Sequence, residues 1–245
     1  MKSDVVRFFY RAVNYLRPPQ RKVFLNPVQL LDDIKGRELV EQFNDLFYRL
    51  HGGGIRWKGS TIIKNPCDLW VICELLEDIK PRVILETGTA EGGSALWLAD
   101  ISNLLGVQTE IVTIDINPKC NFTQTGIHQV IGYSTDNVTV ATVKKLIGEI
   151  QARKQGAVMV FLDSDHTKGN VDRELSIYSE LVTKGSYLVV EDTNINGHPS
   201  FPTHGPGPHE AVQEFLLMHP NFVADRAREK YLLTFNPGGY LRRVS

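Results

Sequence analysis

Val83-Ile84-Leu85-Glu86-Thr87-Gly88-Thr89-Ala90-Glu91-Gly92-Gly93-Ser94 joins a short apolar run to a glycine-rich turn and then to a helical stretch. A run of that length and composition reads as a strand buried on both faces. Glycines let the backbone approach a ligand closely, and the helix that follows supplies unpaired N–H groups. A tight strand-to-helix turn with no ligand has the same appearance. Ala90 stands where G-x-G-x-x-G requires its second glycine, which disfavours a dinucleotide.

The same texture continues downstream. Apolar runs at Ile111–Asp115, Gln129–Ile131, Val158–Leu162 and Tyr187–Glu191 alternate with helical stretches over Ser94–Leu105, Asp136–Ala152, Gly169–Leu181 and Pro208–Met218. That alternation predicts an α/β domain with a parallel, doubly wound sheet. Tyr231–Phe235 and Tyr240–Arg243 flank Asn236-Pro237-Gly238-Gly239, predicting an antiparallel hairpin at one sheet edge. Upstream, Pro66 opens a helix to Ile79 that buries Leu69, Ile72, Leu75 and Leu76. Residues 55–65 read as loop, Arg37–Leu50 as a helix, and Asp4–Arg17 as another, ended by Pro18-Pro19. The expected division is a helical extension over 1–65 and the α/β domain over 66–245.

Composition narrows the class. The 245 residues are 42% hydrophobic and 22% charged, with a formal net charge of -1, so a folded domain is expected and a nucleic-acid partner is not. Cys67, Cys73 and Cys120 form no C-x-x-C pair, which argues against a disulfide framework and fits a reducing cytoplasm. The 4–17 segment is too often broken by charge for a secretory signal. It is expected to pack on this chain or on a second copy in a homo-oligomer, in preference to a membrane surface.

Ligands of open α/β sheets bind beyond the carboxyl ends of the strands, so each strand end is a candidate site. Asp115 ends the second strand, where a carboxylate either takes the two ribose hydroxyls of a nucleoside or caps a helix. Ser134, with Thr135, follows the third strand and either caps the next helix or meets an adenine edge. The fourth strand ends in Asp163-Ser164-Asp165-His166 and the fifth in Glu191-Asp192-Thr193. Carboxylates brought together repel unless protonated, paired or bridged by a cation. Oxygen ligands without cysteine suit Mg²⁺; helix capping by Asp163 and Asp192 is the alternative, and Asp165 reads as a cap or a supporting partner. His166, three residues beyond Asp163, suits a general base. The loop 194–208 has the composition of an active-site cover, with His198 and His204 either touching an acceptor or merely structural. Trp57, Lys58 and Gly59 either wall that pocket or pack beside the core.

From about Trp57 onward the chain resembles the family joining rhamnosyl O-methyltransferases with the cephalosporin 7-methoxylation proteins, also called cephalosporin hydroxylases. The resemblance is carried by Glu86-Thr87-Gly88 with Gly92-Gly93-Ser94, by Asp163-Ser164-Asp165-His166-Thr167, by Glu191 through Pro199, and by Gly205-Pro206-Gly207-Pro208. It implies the class I methyltransferase fold, a Rossmann-like sheet of five parallel strands with an antiparallel C-terminal hairpin. Together with the similarity to catechol O-methyltransferase, it implies Glu86, Gly88, Ser94, Asp115 and Ser134 on S-adenosylmethionine. Asp163, Glu191 and Asp192 would hold Mg²⁺, and His166 falls where the catechol enzyme places a catalytic lysine.

The implied reaction is methyl transfer to a hydroxyl of a small or glycosylated acceptor, most naturally a rhamnosyl-type sugar. Methoxylation of a β-lactam nucleus and a non-catalytic cofactor-binding subunit are the alternatives. Oxidation is disfavoured, because none of the seven histidines begins the His-x-Asp/Glu pattern of an iron oxygenase.

Overall fold

The computed structural model describes residues 34–50 and 54–245. The helix expected over 4–17 lies outside the described residues. In chain order the elements are α1 (Ile34–Leu50), β1 (Ile55–Trp57), β2 (Ser60–Ile62), α2 (Pro66–Ile79), β3 (Val83–Thr87), α3 (Gly93–Leu104), β4 (Glu110–Asp115) and β5 (Ile127–Ile131). There follow α4 (Asn137–Arg153), β6 (Val158–Leu162), α5 (Lys168–Tyr178), β7 (Tyr187–Val190), α6 (Pro208–Met218), β8 (Phe222–Ala224) and β9 (Tyr240–Arg243).

The main sheet runs β5-β4-β3-β6-β7-β9-β8. Strands β3 to β7 pair parallel, and β9 pairs antiparallel with both β7 and β8. Alternation along each strand splits the core between the two faces. Val83, Leu85, Val112 and Val160 meet α4, α5 and α6 through Val143, Ile147, Leu175 and Val212. Ile84, Ile111, Met159 and Phe161 meet α2 and α3 through Leu75, Leu76, Ala95 and Leu98. Each such side chain removed from water contributes about 1.5–3 kcal/mol.

Two local expectations change. Residues 55–62, read as loop, form the β1–β2 hairpin, with Trp57 opposite Ser60. Lys58 and Gly59 both have positive φ, 49° and 90°, as a two-residue turn matched to strand twist requires. The strand expected over Tyr231–Phe235 is not formed. Thr234 Oγ1 and Phe235 N instead donate to the buried carboxylate of Asp68, at 2.6 and 2.8 Å, so their bonding goes to α2 and not to a ladder. The outer partner of β9 is Phe222–Ala224, in the register Phe222 to Arg243.

After β3 the chain builds outward through β4 and β5, then returns to lay β6 on the other side of β3. The carboxyl ends of β3 and β6 therefore flank the topological switch point, where a crevice opens.

Candidate active site

Gly88, just past β3, sits against that switch point with φ +88°, and a Cβ there would lie 1.8 Å from the carbonyl oxygen of Asp163. No other residue fits. Beside it opens a cavity of about 320 Å³ whose lining includes Gly88, Ala90, Asp115, Tyr133, Ser134 and Asp163. Asp115 does not cap a helix. Its Oδ2 accepts from the N–H groups of Thr89 (3.0 Å) and Ala90 (2.8 Å), and its Oδ1 from that of Asn117 (2.8 Å). It thus ties the glycine loop to the end of β4 while lining the cavity. Nor do Ser134 and Thr135 cap α4, since Asp136 does so by accepting from Val138 N at 3.0 Å. Ser134 lines the cavity, and its carbonyl accepts from the Tyr178 hydroxyl.

Glu86 and Ser94, expected on the cofactor, bond to each other across the glycine loop. They do not line the cavity; the Ser94 hydroxyl donates to Glu86 Oε1, and Thr113 Oγ1 donates to Oε2 at 3.0 Å. Burial pushes the Glu86 carboxyl up, while Lys64 and these hydroxyls pull the other way. The pair braces the glycine loop from beneath.

At the ends of β6 and β7 the structure gathers Asp163, His166, Glu191 and Asp192. His166 Nε2 is 3.2 Å from Asp192 Oδ2 and 3.8 Å from Asp163 Oδ1. Asp163, His166 and Asp192 each offer a ligand atom within 4.8 Å of the others. Glu191 lies deeper, 5% exposed. Burial, with Asp163 nearby, pushes its carboxyl well up. Asp192 is also raised, first by burial, with His166 opposing and Asp163 adding to the shift. Neither Asp163 nor Asp192 caps a helix: α5 begins after Thr167, and no helix follows Asp192 directly. Asp165 Oδ1 accepts from Thr167 N at 2.9 Å, closing a turn between β6 and α5.

Two residues of the cluster were not legible in the sequence. Lys64, 3% exposed, places Nζ 2.5 Å from Asp163 Oδ2 and 2.6 Å from Glu191 Oε1. Burial alone would lower its pKa, but Asp163, Glu191 and Glu86 together raise it, so the ammonium stays charged. Tyr48 of α1 hydrogen-bonds Asp192, and its phenol is raised by burial and by the charges of Asp192 and Asp163. Its ring packs edge-on against Phe201 and Phe235, with centroids 5.8 and 4.8 Å away. A lysine after two isoleucines and a tyrosine on an amphipathic helix carry no motif; only the tertiary fold joins them to strand ends about a hundred residues away.

Other expected contacts go elsewhere. His198 Nε2 lies 2.9 Å from Glu210 Oε1, and its ring stacks on His209 at 3.7 Å. Burial would raise Glu210, yet bonds from Gly207 N, His198 and Asn196 hold it down at about 2. His198 therefore braces the 194–208 loop. His204 Nδ1 faces the carbonyl of Gly205 at 3.1 Å and the residue is exposed. Trp57 Nε1 and Lys58 Nζ both donate to Asp100, at 2.7 and 2.8 Å, which fastens the β1–β2 hairpin to α3.

Comparison with known proteins fits this geometry. The profile of the family described as "Rhamnosyl O-methyltransferase/CmcI" matches residues 52–244. A rhamnosyl O-methyltransferase of Mycobacterium tuberculosis is 31% identical over 212 residues, covering 84% of this chain and 85% of that one. One from Mycobacterium leprae is 33% identical over 189 residues, covering 76% and 82%. Among solved structures, a CmcI chain with Mg and SAM superposes with a TM-score of 0.58 at 20% identity, covering 78% of this chain and 77% of that one. The latter likeness establishes the fold. With the family profile spanning the whole sheet and its strand-end residues, the chain belongs to the rhamnosyl O-methyltransferase/CmcI family.

Proposed function

We propose that the protein transfers a methyl group from S-adenosylmethionine to a sugar hydroxyl, with a divalent cation of the Mg²⁺ type held by Asp163, Glu191 and Asp192. The observation that carries the reading is the meeting of two features at one switch point. A crevice floored by Gly88 and a carboxylate cluster share Asp163 as their common wall.

The residues fit both groups. Asp115 is placed for the ribose of a nucleoside, Ser134 stands beside it on the cavity wall, and the exposed Ile116 and Tyr133 flank the same cavity with apolar surface suited to a flat base. Asp163 and Asp192 offer hard oxygen donors to a cation. Glu191 would complete the charge, and Glu86 with Ser94 would hold the glycine loop in place for the cofactor.

When bound, S-adenosylmethionine supplies an electrophilic methyl group, and a divalent cation supplies a Lewis acid for the acceptor hydroxyl. The chain supplies alignment and a proton acceptor. Holding two reactants in line is worth up to about 7–11 kcal/mol in favourable cases. A positioned base adds typically about 10²- to 10⁴-fold, and the imidazole of His166 takes that part at the open face of the cluster. Tyr48 places an aromatic ring beside Asp192, with Phe201 packed edge-on against it, which suits the apolar face of a pyranose ring.

The sugar reading is supported by the relatives named rhamnosyl O-methyltransferase, at 31–33% identity. The test is transfer of labelled methyl from S-adenosylmethionine to a panel of rhamnosylated glycosides and β-lactams, with and without EDTA. Labelling of glycosides that EDTA abolishes supports the proposal; labelling of β-lactams alone, or transfer indifferent to chelation, overturns it.

A further inference from the structure

Lys64 approaches the carboxylate cluster from the side opposite His166. Its ammonium takes Asp163 Oδ2 and Glu191 Oε1, while Asp163 Oδ1 faces His166 and, beyond it, Asp192. One carboxylate therefore has two differently committed oxygens. The residues whose ligand atoms lie within 4.8 Å of one another are Asp163, His166 and Asp192, a set without Glu191, which pairs with the lysine. A cation taking Asp163 Oδ1 would leave the lysine on Oδ2 and share both Asp163 and Glu191 with it.

The position of Lys64 is also fixed in advance. Ile62, two residues earlier, is buried in the β1–β2 hairpin. Immediately after it, Asn65 caps α2 by accepting from Cys67 N at 2.8 Å, and Pro66 holds the first helical position. The backbone on both sides of the lysine is thus held, and its side chain is 3% exposed.

We propose that Lys64 is a permanent internal counter-cation of the site, sharing Asp163 with the divalent cation and limiting how tightly that cation binds. The inference rests on the metal reading given under Proposed function. Without metal, the ammonium keeps Asp163 and Glu191 from repelling one another inside the fold. With metal, its charge remains a few ångströms away in a poorly screened interior, where like charges repel far more strongly than in water. Lys64 thus trades cation affinity for a site that is already assembled in the metal-free protein. It is a positioning residue, acting through Asp163 and Glu191.

The experiment is calorimetric titration of Mg²⁺ into the wild type, Lys64→Met and Lys64→Gln, each without cofactor, paired with thermal unfolding in EDTA and in Mg²⁺. The wild type is expected to bind Mg²⁺ and to melt only slightly lower in EDTA. Both variants should bind Mg²⁺ at least about tenfold more tightly. They should also melt lower than wild type in EDTA and recover most of that loss in Mg²⁺. If Lys64→Met fails to fold in either condition, Lys64→Gln decides, since it keeps an N–H donor toward the same oxygens without the charge. Mg²⁺ affinity equal to or weaker than wild type in the folded variants overturns the proposal. Absence of Mg²⁺ binding in the wild type and the variants alike overturns the metal reading itself, and Lys64 is then an ordinary buried ion pair.

Discussion

The imidazole Nε2 of His166 stands 3.2 Å from Asp192 Oδ2, although the two residues leave different strands. That contact holds the imidazole on the rim of the carboxylate cluster, with its second ring nitrogen left for a proton. His166→Gln keeps a polar side chain of similar reach and removes the basic nitrogen. Single-turnover methyl transfer should slow by about 10²- to 10⁴-fold, with cofactor and Mg²⁺ affinities unchanged. A wild-type single-turnover rate would remove His166 from the mechanism, and a collapse of Mg²⁺ affinity would make it a ligand instead.

Gly88→Ala asks for a Cβ 1.8 Å from the carbonyl oxygen of Asp163, in a backbone conformation at φ +88° that side chains resist. The β3 and β6 ends must move apart. We expect a loss of about 3 kcal/mol or more, read by chemical denaturation. Gly185→Ala is the control, because its φ is +86° but its Cβ would meet nothing within 4 Å; about 1 kcal/mol is expected there. Equal losses at the two positions would show that conformation alone, and not the close approach at the switch point, makes Gly88 necessary.

Asp68 gives the fold a pH dependence. It is buried, accepts from Thr234 Oγ1, Phe235 N and Tyr240 OH, and is pushed up by burial from 3.8 to about 6 despite those bonds. Between about pH 4 and pH 6 the folded chain holds a proton that the unfolded chain has released, so stability falls as pH rises through that window. The difference corresponds to about 3 kcal/mol. Asp68→Asn cannot titrate, so its unfolding free energy should change less than that of the wild type between pH 7 and pH 4. Parallel curves for the two proteins would contradict the assignment.

The order of strands and helices was legible because a buried parallel sheet writes itself as short apolar runs, and the runs ending in Asp115, Leu162 and Val190 are of that kind. Strand-end carboxylates were legible for the same reason, since topology brings the ends of β6 and β7 together. The C-terminal edge misled: Tyr231–Phe235 has strand-like residues, but Asp68 on α2 claims their hydrogen bonds. Phe222–Ala224, only three residues long, carries too little pattern to announce itself. Glu86 and Ser94 share the glycine-loop motif with Gly88 and bond to each other, a pairing across the loop that spacing cannot express. Lys64 and Tyr48 lay hidden because an ion pair spanning 99 residues leaves no local trace.

The central claim is that the crevice beside Gly88 holds S-adenosylmethionine. Its most direct test is calorimetric titration of the Mg²⁺-containing protein with S-adenosylhomocysteine, run beside NAD and repeated on Asp115→Ala. Asp115 lines the crevice and fastens its loop through Thr89 and Ala90, and a bond to a charged group contributes about 1.5–3 kcal/mol. The account predicts saturable binding of one S-adenosylhomocysteine per chain, no heat from NAD, and at least about tenfold weaker binding in the variant with Mg²⁺ affinity intact. Binding of NAD in place of S-adenosylhomocysteine, or S-adenosylhomocysteine binding that Asp115→Ala leaves untouched, would contradict it.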